Sequence, residues 1–127
     1  MTVSSSEYFS QKELQCKCGC GECEMDESFM DRMDELRTLF GHPIYLNSAY
    51  RCKEHNKNEG GVPDSPHTKG IGVDIAISGM SAWSLLLYVT EIGFTGIGIK
   101  QHGDHNARFI HVDDKPDGTR PWTWTYK

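Results

Sequence analysis

Ser65-Pro66-His67-Thr68-Lys69-Gly70-Ile71-Gly72-Val73-Asp74-Ile75-Ala76-Ile77 runs from a turn into an extended segment, and the rest of the chain is arranged around it. From Gly72 onward the residues alternate as in a pleated strand, with Val73, Ile75 and Ile77 on one side and Asp74 and Ala76 on the other. Asp74 therefore faces away from the bulky side chains. Further along, Phe109-Ile110-His111-Val112-Asp113 has the same form, with a histidine between apolar neighbours. Polar side chains so placed on two strands point into a shared polar pocket between sheet and loop. A catalytic zinc takes three protein ligands and leaves a fourth position open, and histidine nitrogens with a carboxylate oxygen suit it. His67, Asp74 and His111 are the candidate set. On spacing alone the signal is weak, and a lone histidine in such a strand is more often a hydrogen-bonded core or surface residue than a metal ligand.

Outward from this pair of strands, the elements mix without a regular βαβ alternation, which predicts an α+β fold. Phe29, Met33, Leu36 and Phe40 recur at helical spacing behind a capping Asp26, and Gly41 with Pro43 ends that helix. Ile44 to Leu46 reads as a short strand. Ser81 is expected to cap a second helix with Ala82, Leu85, Leu86 and Val89 on one face, stopped by Gly93. Gly96 to Ile99 and Phe109 to Asp113 read as strands separated by a polar loop holding His102, Asp104 and His105. The 127 residues suit one domain, 1–127, with residues 1–8 expected to fray.

Composition excludes several functions. A formal net charge of −5 and the lack of a basic run argue against a nucleic-acid partner, whose phosphates call for Lys and Arg. No stretch is apolar enough to span a bilayer, so no membrane partner is expected. Met1 to Ser10 lacks the basic start and apolar run of a signal peptide, so the chain is expected to be made in the cytoplasm.

The first motif, with Ser65, His67, Gly70 and Asp74 in place, resembles the SxHxxGxAxD motif of the zinc D-Ala-D-Ala carboxypeptidase family of peptidoglycan peptidases, which shares its metal-site fold with the hedgehog signalling domain. Ser48-Ala49-Tyr50-Arg51, His55-Asn56 and Gly60-Gly61 resemble the segment that leads into that motif in the smaller members. Gly96-Ile97-Gly98 and Phe109 to Asp113 resemble the pieces that supply the last ligand. The resemblance runs from about Phe9 to Trp124. It implies a small, mostly antiparallel sheet flanked by helices, one catalytic Zn2+ on His67, Asp74 and His111, and hydrolysis of peptidoglycan stem peptides, either as a carboxypeptidase or as a cell-wall endopeptidase. It implies action at the cell wall, and with the small size a phage lysis or virion-associated enzyme; the chain is expected to be a monomer.

Two positions depart from the family pattern. Its alanine is Gly72 here, and the acid that many relatives carry three residues before the last histidine is Arg108, while a histidine found two before it in others is Phe109. The general base is therefore not carried over. Asp113, on the same strand face as His111, is the first candidate; it would serve equally as a carboxylate that orients a ligand histidine. His105 is the second candidate, as a loop histidine that titrates near neutrality. Arg51 is the candidate for stabilising the oxyanion or clamping a substrate carboxylate, against the plainer role of a surface ion pair. Ser65 is a candidate substrate contact or a turn-capping residue. The absence of an acid at position 108 also leaves a second reading, a non-catalytic zinc-stabilised binding module.

Cys16-Lys17-Cys18-Gly19-Cys20-Gly21-Glu22-Cys23 does not have the spacing of two separated CxxC knuckles, and similar stretches occur in the smaller family members. Pairing with Cys52, free thiols under the site, or a Cys16–Cys23 disulfide all fit, and a second ion is not expected. Arg120-Pro121-Trp122-Thr123-Trp124-Thr125-Tyr126 reads as an edge strand with its aromatics on one face, in preference to a glycan-stacking surface.

Overall fold

The computed structural model describes residues 1–127. In chain order the elements are β1 (Thr2–Val3), α1 (Gln11–Leu14), β2 (Met25–Asp26), α2 (Glu27–Phe40), β3 (Leu46–Ser48), α3 (Lys53–Asn58), β4 (Gly72–Ala76), α4 (Gly79–Ile92), β5 (Gly96–Lys100), β6 (Phe109–Asp113) and β7 (Trp122–Thr125). No helix is long and apolar enough to cross a membrane.

Local chemistry sets the ends of the two long helices. Asp26 caps α2 by accepting from the Phe29 amide, and Gly41 closes it at φ 77°, a left-handed conformation that suits a residue without Cβ. Gly93 closes α4 in the same way at φ 91°. The expected cap Ser81 instead lies inside the first turn of α4, because the Ala82 amide already bonds the Ser78 carbonyl. Phe29, Met30, Met33 and Leu36 of α2 and Ala82, Leu85 and Val89 of α4 are buried together with Val73, Ile75, Ile110 and Val112 of the sheet. Each of the larger of these side chains contributes about 1.5 to 3 kcal/mol by leaving water, and Ala82 less.

Five strands form the main sheet in the order β3-β4-β6-β5-β7, antiparallel except where β7 runs parallel to β5. The fold is thus α+β and mostly antiparallel. Registration aligns Asp74 of β4, His111 of β6, Gly98 of β5 and Trp124 of β7 in one row across the sheet, with a second row of Gly72, Asp113, Gly96 and Trp122 beside it. Since Val73, Ile75, Ile110 and Val112 take the core face, period-two alternation puts these rows on the opposite face.

The strand expected at Ile44 to Leu46 forms instead at Leu46–Ser48, with an irregular register against β4. At the N-terminus β1 pairs with β2, the Glu27 amide bonds the Met1 carbonyl, and Ser6 Oγ donates to Asp34 Oδ1.

Candidate metal centre

The polar face of β4 and β6 forms the floor of a cleft of about 460 Å³, walled by the turn around His67, by Arg51 and by Trp124 and Tyr126 at the sheet edge. His67 and His111 are each 4% exposed. Asp74 Oδ1 lies 2.9 Å from His111 Nδ1 and 3.3 Å from His67 Nε2. The ligand atoms of all three residues fall within 4.8 Å of one another.

The outward partners of each histidine fix which nitrogen faces this point. His67 Nδ1 lies 2.8 Å from the Ala49 carbonyl, which can only accept, so Nδ1 carries the proton and Nε2 presents its lone pair to the cleft. His111 Nε2 donates to Asp113 Oδ2 at 2.7 Å, which leaves Nδ1 for the cleft. Converging nitrogen and carboxylate donors, each histidine held from behind, are the arrangement a divalent metal requires. His67, Asp74 and His111 therefore fit a metal ion.

Electrostatics reinforce the cluster. Burial works to raise the Asp74 carboxyl, but hydrogen bonds from His111 and His67 outweigh it and hold it below the usual carboxylate range. Burial disfavours the charged His111 ring, yet its bonds to Asp113 and Asp74 push it above the usual histidine value. At Asp113 burial also works upward and is outweighed by the His111 bond, the Lys115 amide and the Arg120 charge, so its carboxyl is held low.

The other expected site residues are distributed unevenly. Asp113 is fully buried, with its oxygens engaged by His111, the Lys115 amide at 3.1 Å and Arg120 Nη1 at 2.6 Å. It stands behind His111, on the ring nitrogen away from Asp74. Arg51 lines the cleft with Nη2 3.5 Å from Asp74 Oδ2, while Nε donates to Ser48 Oγ and Nη1 to Asn56 Oδ1. Ser65 also lines it, and its Oγ accepts from the His67 amide at 3.2 Å, so it braces the ligand turn. His105 is exposed in a 3-10 turn, His105–Ala107, outside the residues that line the cleft. Arg108 is spent on its own loop, donating twice to the Gly103 carbonyl.

Several cleft residues escape a reading of the sequence. Arg120 joins Asp113 and stacks over the Trp124 ring at 5.1 Å; Asn56 holds Arg51; Trp124 of the edge strand and Tyr126 just beyond it face the site. One signal was present: Gly96 and Gly98 alternate in β5 as Trp122 and Trp124 do in β7, a small-against-large pattern that pairs the strands. The cysteine segment brings Cys16, Cys18 and Cys20 to Cys52, while Cys23 bonds the Ser4 carbonyl, away from Cys16.

A three-residue group on an α+β sheet, open to a cleft on one side, is a site that can hold a metal. The family model described as Peptidase M15 matches residues 7–113, and the chain belongs to that family. It is thus a peptidase by family, with the His67, Asp74 and His111 group as the place where it can hold a metal. No curated protein matches the chain.

Proposed function

We propose that the protein is a zinc peptidase that hydrolyses the D-amino-acid-containing stem peptides of peptidoglycan, as a carboxypeptidase or a wall endopeptidase, in the manner of a phage lysis enzyme. The observation that carries this is the convergence of His67 Nε2, Asp74 Oδ1 and His111 Nδ1 at the floor of a cleft, within the matched family segment. A zinc ion supplies Lewis acidity that activates water and polarises a scissile carbonyl. The protein's own groups do the rest. His67 and His111 are locked in one ring orientation by Ala49 and Asp113, so the ligand set is in place before substrate arrives. Arg51, held by Ser48 and Asn56, presents a fixed guanidinium beside Asp74 for a substrate carboxylate or a developing oxyanion. Lys115 and Arg120 line the same cleft but are already paired, Lys115 with Asp64 and Asp117 and Arg120 with Asp113, which leaves Arg51 as the cation placed to meet substrate.

One observation favours the alternative of a non-catalytic zinc-stabilised binding module: the cleft's carboxylates, Asp74 and Asp113, are both engaged by histidines, leaving no carboxylate free to move a proton. The two readings separate on incubation of the zinc-loaded protein with wall fragments, followed by mass spectrometry for released D-Ala or new amino termini. Cleavage is expected, falling in His67→Ala by more than the roughly 10- to 100-fold that follows loss of an outer partner of a metal ligand. Stoichiometric zinc with no cleavage across a pH series would select the binding module.

A further inference from the structure

We propose that Cys16, Cys18, Cys20 and Cys52 form a second metal site, a structural one that takes zinc through four thiolates. Sequence spacing argues against a second ion, because three cysteines alternate in one loop and the fourth lies far along the chain; the fold brings them together. Sγ of Cys16 lies 3.4 Å from Cys18 and 3.7 Å from Cys52, and Cys18 lies 3.7 Å from Cys52. All four sulfurs fall within 4.8 Å of one another. A tetrahedron with metal–sulfur bonds of about 2.3 Å has sulfurs about 3.8 Å apart, so the measured edges match a cage for one ion. They do not match a disulfide, whose sulfurs lie about 2.05 Å apart, and all five cysteines are free.

Backbone amides reach three of the four sulfurs. Backbone amides of Cys52, His55 and Glu22 donate to the sulfurs of Cys16, Cys52 and Cys20 respectively, each at 3.4 Å, and such bonds stabilise charge on sulfur. Gly19 and Gly21, at φ 91° and 78°, let the loop double back so that Cys18 and Cys20 return toward Cys16. The two chain segments already meet through the Tyr50 amide on the Leu14 carbonyl. Binding is acid–base and needs no oxidant: each thiol releases its proton to solvent as its sulfur donates a lone pair to the ion. The ion fastens the loop to Cys52, next in sequence to Arg51.

The test uses the full chain purified under reducing conditions, zinc analysis after dialysis, and cobalt(II) exchange read by its thiolate charge-transfer absorption. Two zinc ions per chain are expected, one of them lost in the Cys18→Ser, Cys20→Ser double variant, whose altered side chains are exposed. The thiolate–cobalt band should persist in His67→Ala and vanish in the cysteine variant, which separates this site from the peptidase centre. A single zinc lost on His67→Ala, with no thiolate band in the reduced wild type, overturns the proposal. So does a mass deficit showing disulfides with no gain of metal on reduction.

Discussion

Asp113 is the residue on which the chemistry turns. A carboxylate two positions from a ligand histidine on a strand suits either a proton shuttle or a brace, and sequence alone leaves the choice open. Its position on the Nε2 side of His111, without exposure and pinned by Arg120, favours the brace. Asp113→Asn keeps the size but removes the charge that steadies the His111 ring and pairs with Arg120. Zinc affinity at the histidine centre should fall by about 10- to 100-fold, with turnover recovering as zinc is raised; chelator competition measures the first and a zinc titration of activity the second. Unchanged affinity with abolished turnover would return the base role to Asp113. Gly72 makes a related point. A Cβ there would stand 2.8 Å from Pro66 Cβ and 3.4 Å from His111 Cε1, so glycine lets the ligand turn pack tightly on β4.

At the scale of elements, β5 is shaped by what lies across it. A Cβ on Gly98 would stand 2.6 Å from Trp124 Nε1 and 2.9 Å from the Tyr126 ring, and one on Gly96 would overlap Arg120 and the Asp113 carboxylate. Glycine thus admits the aromatic strand that closes the cleft. Gly98→Ala should push Trp124 outward and destabilise the protein by about 1 to 3 kcal/mol, the usual result of overpacking, read by urea unfolding with tryptophan fluorescence. No loss of stability would mean that β7 shifts freely. Elements with strong periodicity, α2, β4, β5 and β6, were legible in the sequence because their apolar positions repeat against one core. The metal triad was legible because its residues sit on those elements or in the adjoining turn. What was not legible depends on partners distant in sequence: β1 exists only by pairing with β2, Arg120 acts only where β7 returns beside β5, and Cys52 joins its loop only through tertiary approach.

For the molecule as a whole, the buried cluster links protons, metal and stability. Without metal, Asp74 and Asp113 have folded values held below 3.8, so their contribution is present above that pH and lost as pH falls through the lowered values. His111 is raised above 6.5, so its contribution is full below 6.5 and lost as pH rises through the raised value. Asp114, pushed up by burial, works in the opposite sense to the other carboxyls and trims the gain between them. The cluster of Asp74, His111 and Asp113 therefore contributes most to the metal-free protein between pH 3.8 and 6.5. Metal reverses the upper limit, because a ligand nitrogen must give up its proton to bind. The rise in melting temperature on adding zinc should be small near about pH 5 and grow steadily toward about pH 8. Measuring it in the Cys18→Ser, Cys20→Ser variant confines the effect to the histidine centre, with His67→Ala added as the control that should abolish it. A zinc-induced shift that is the same at both ends of this range would mean that the three residues do not trade protons for metal, and the centre would have to be sought elsewhere in the cleft.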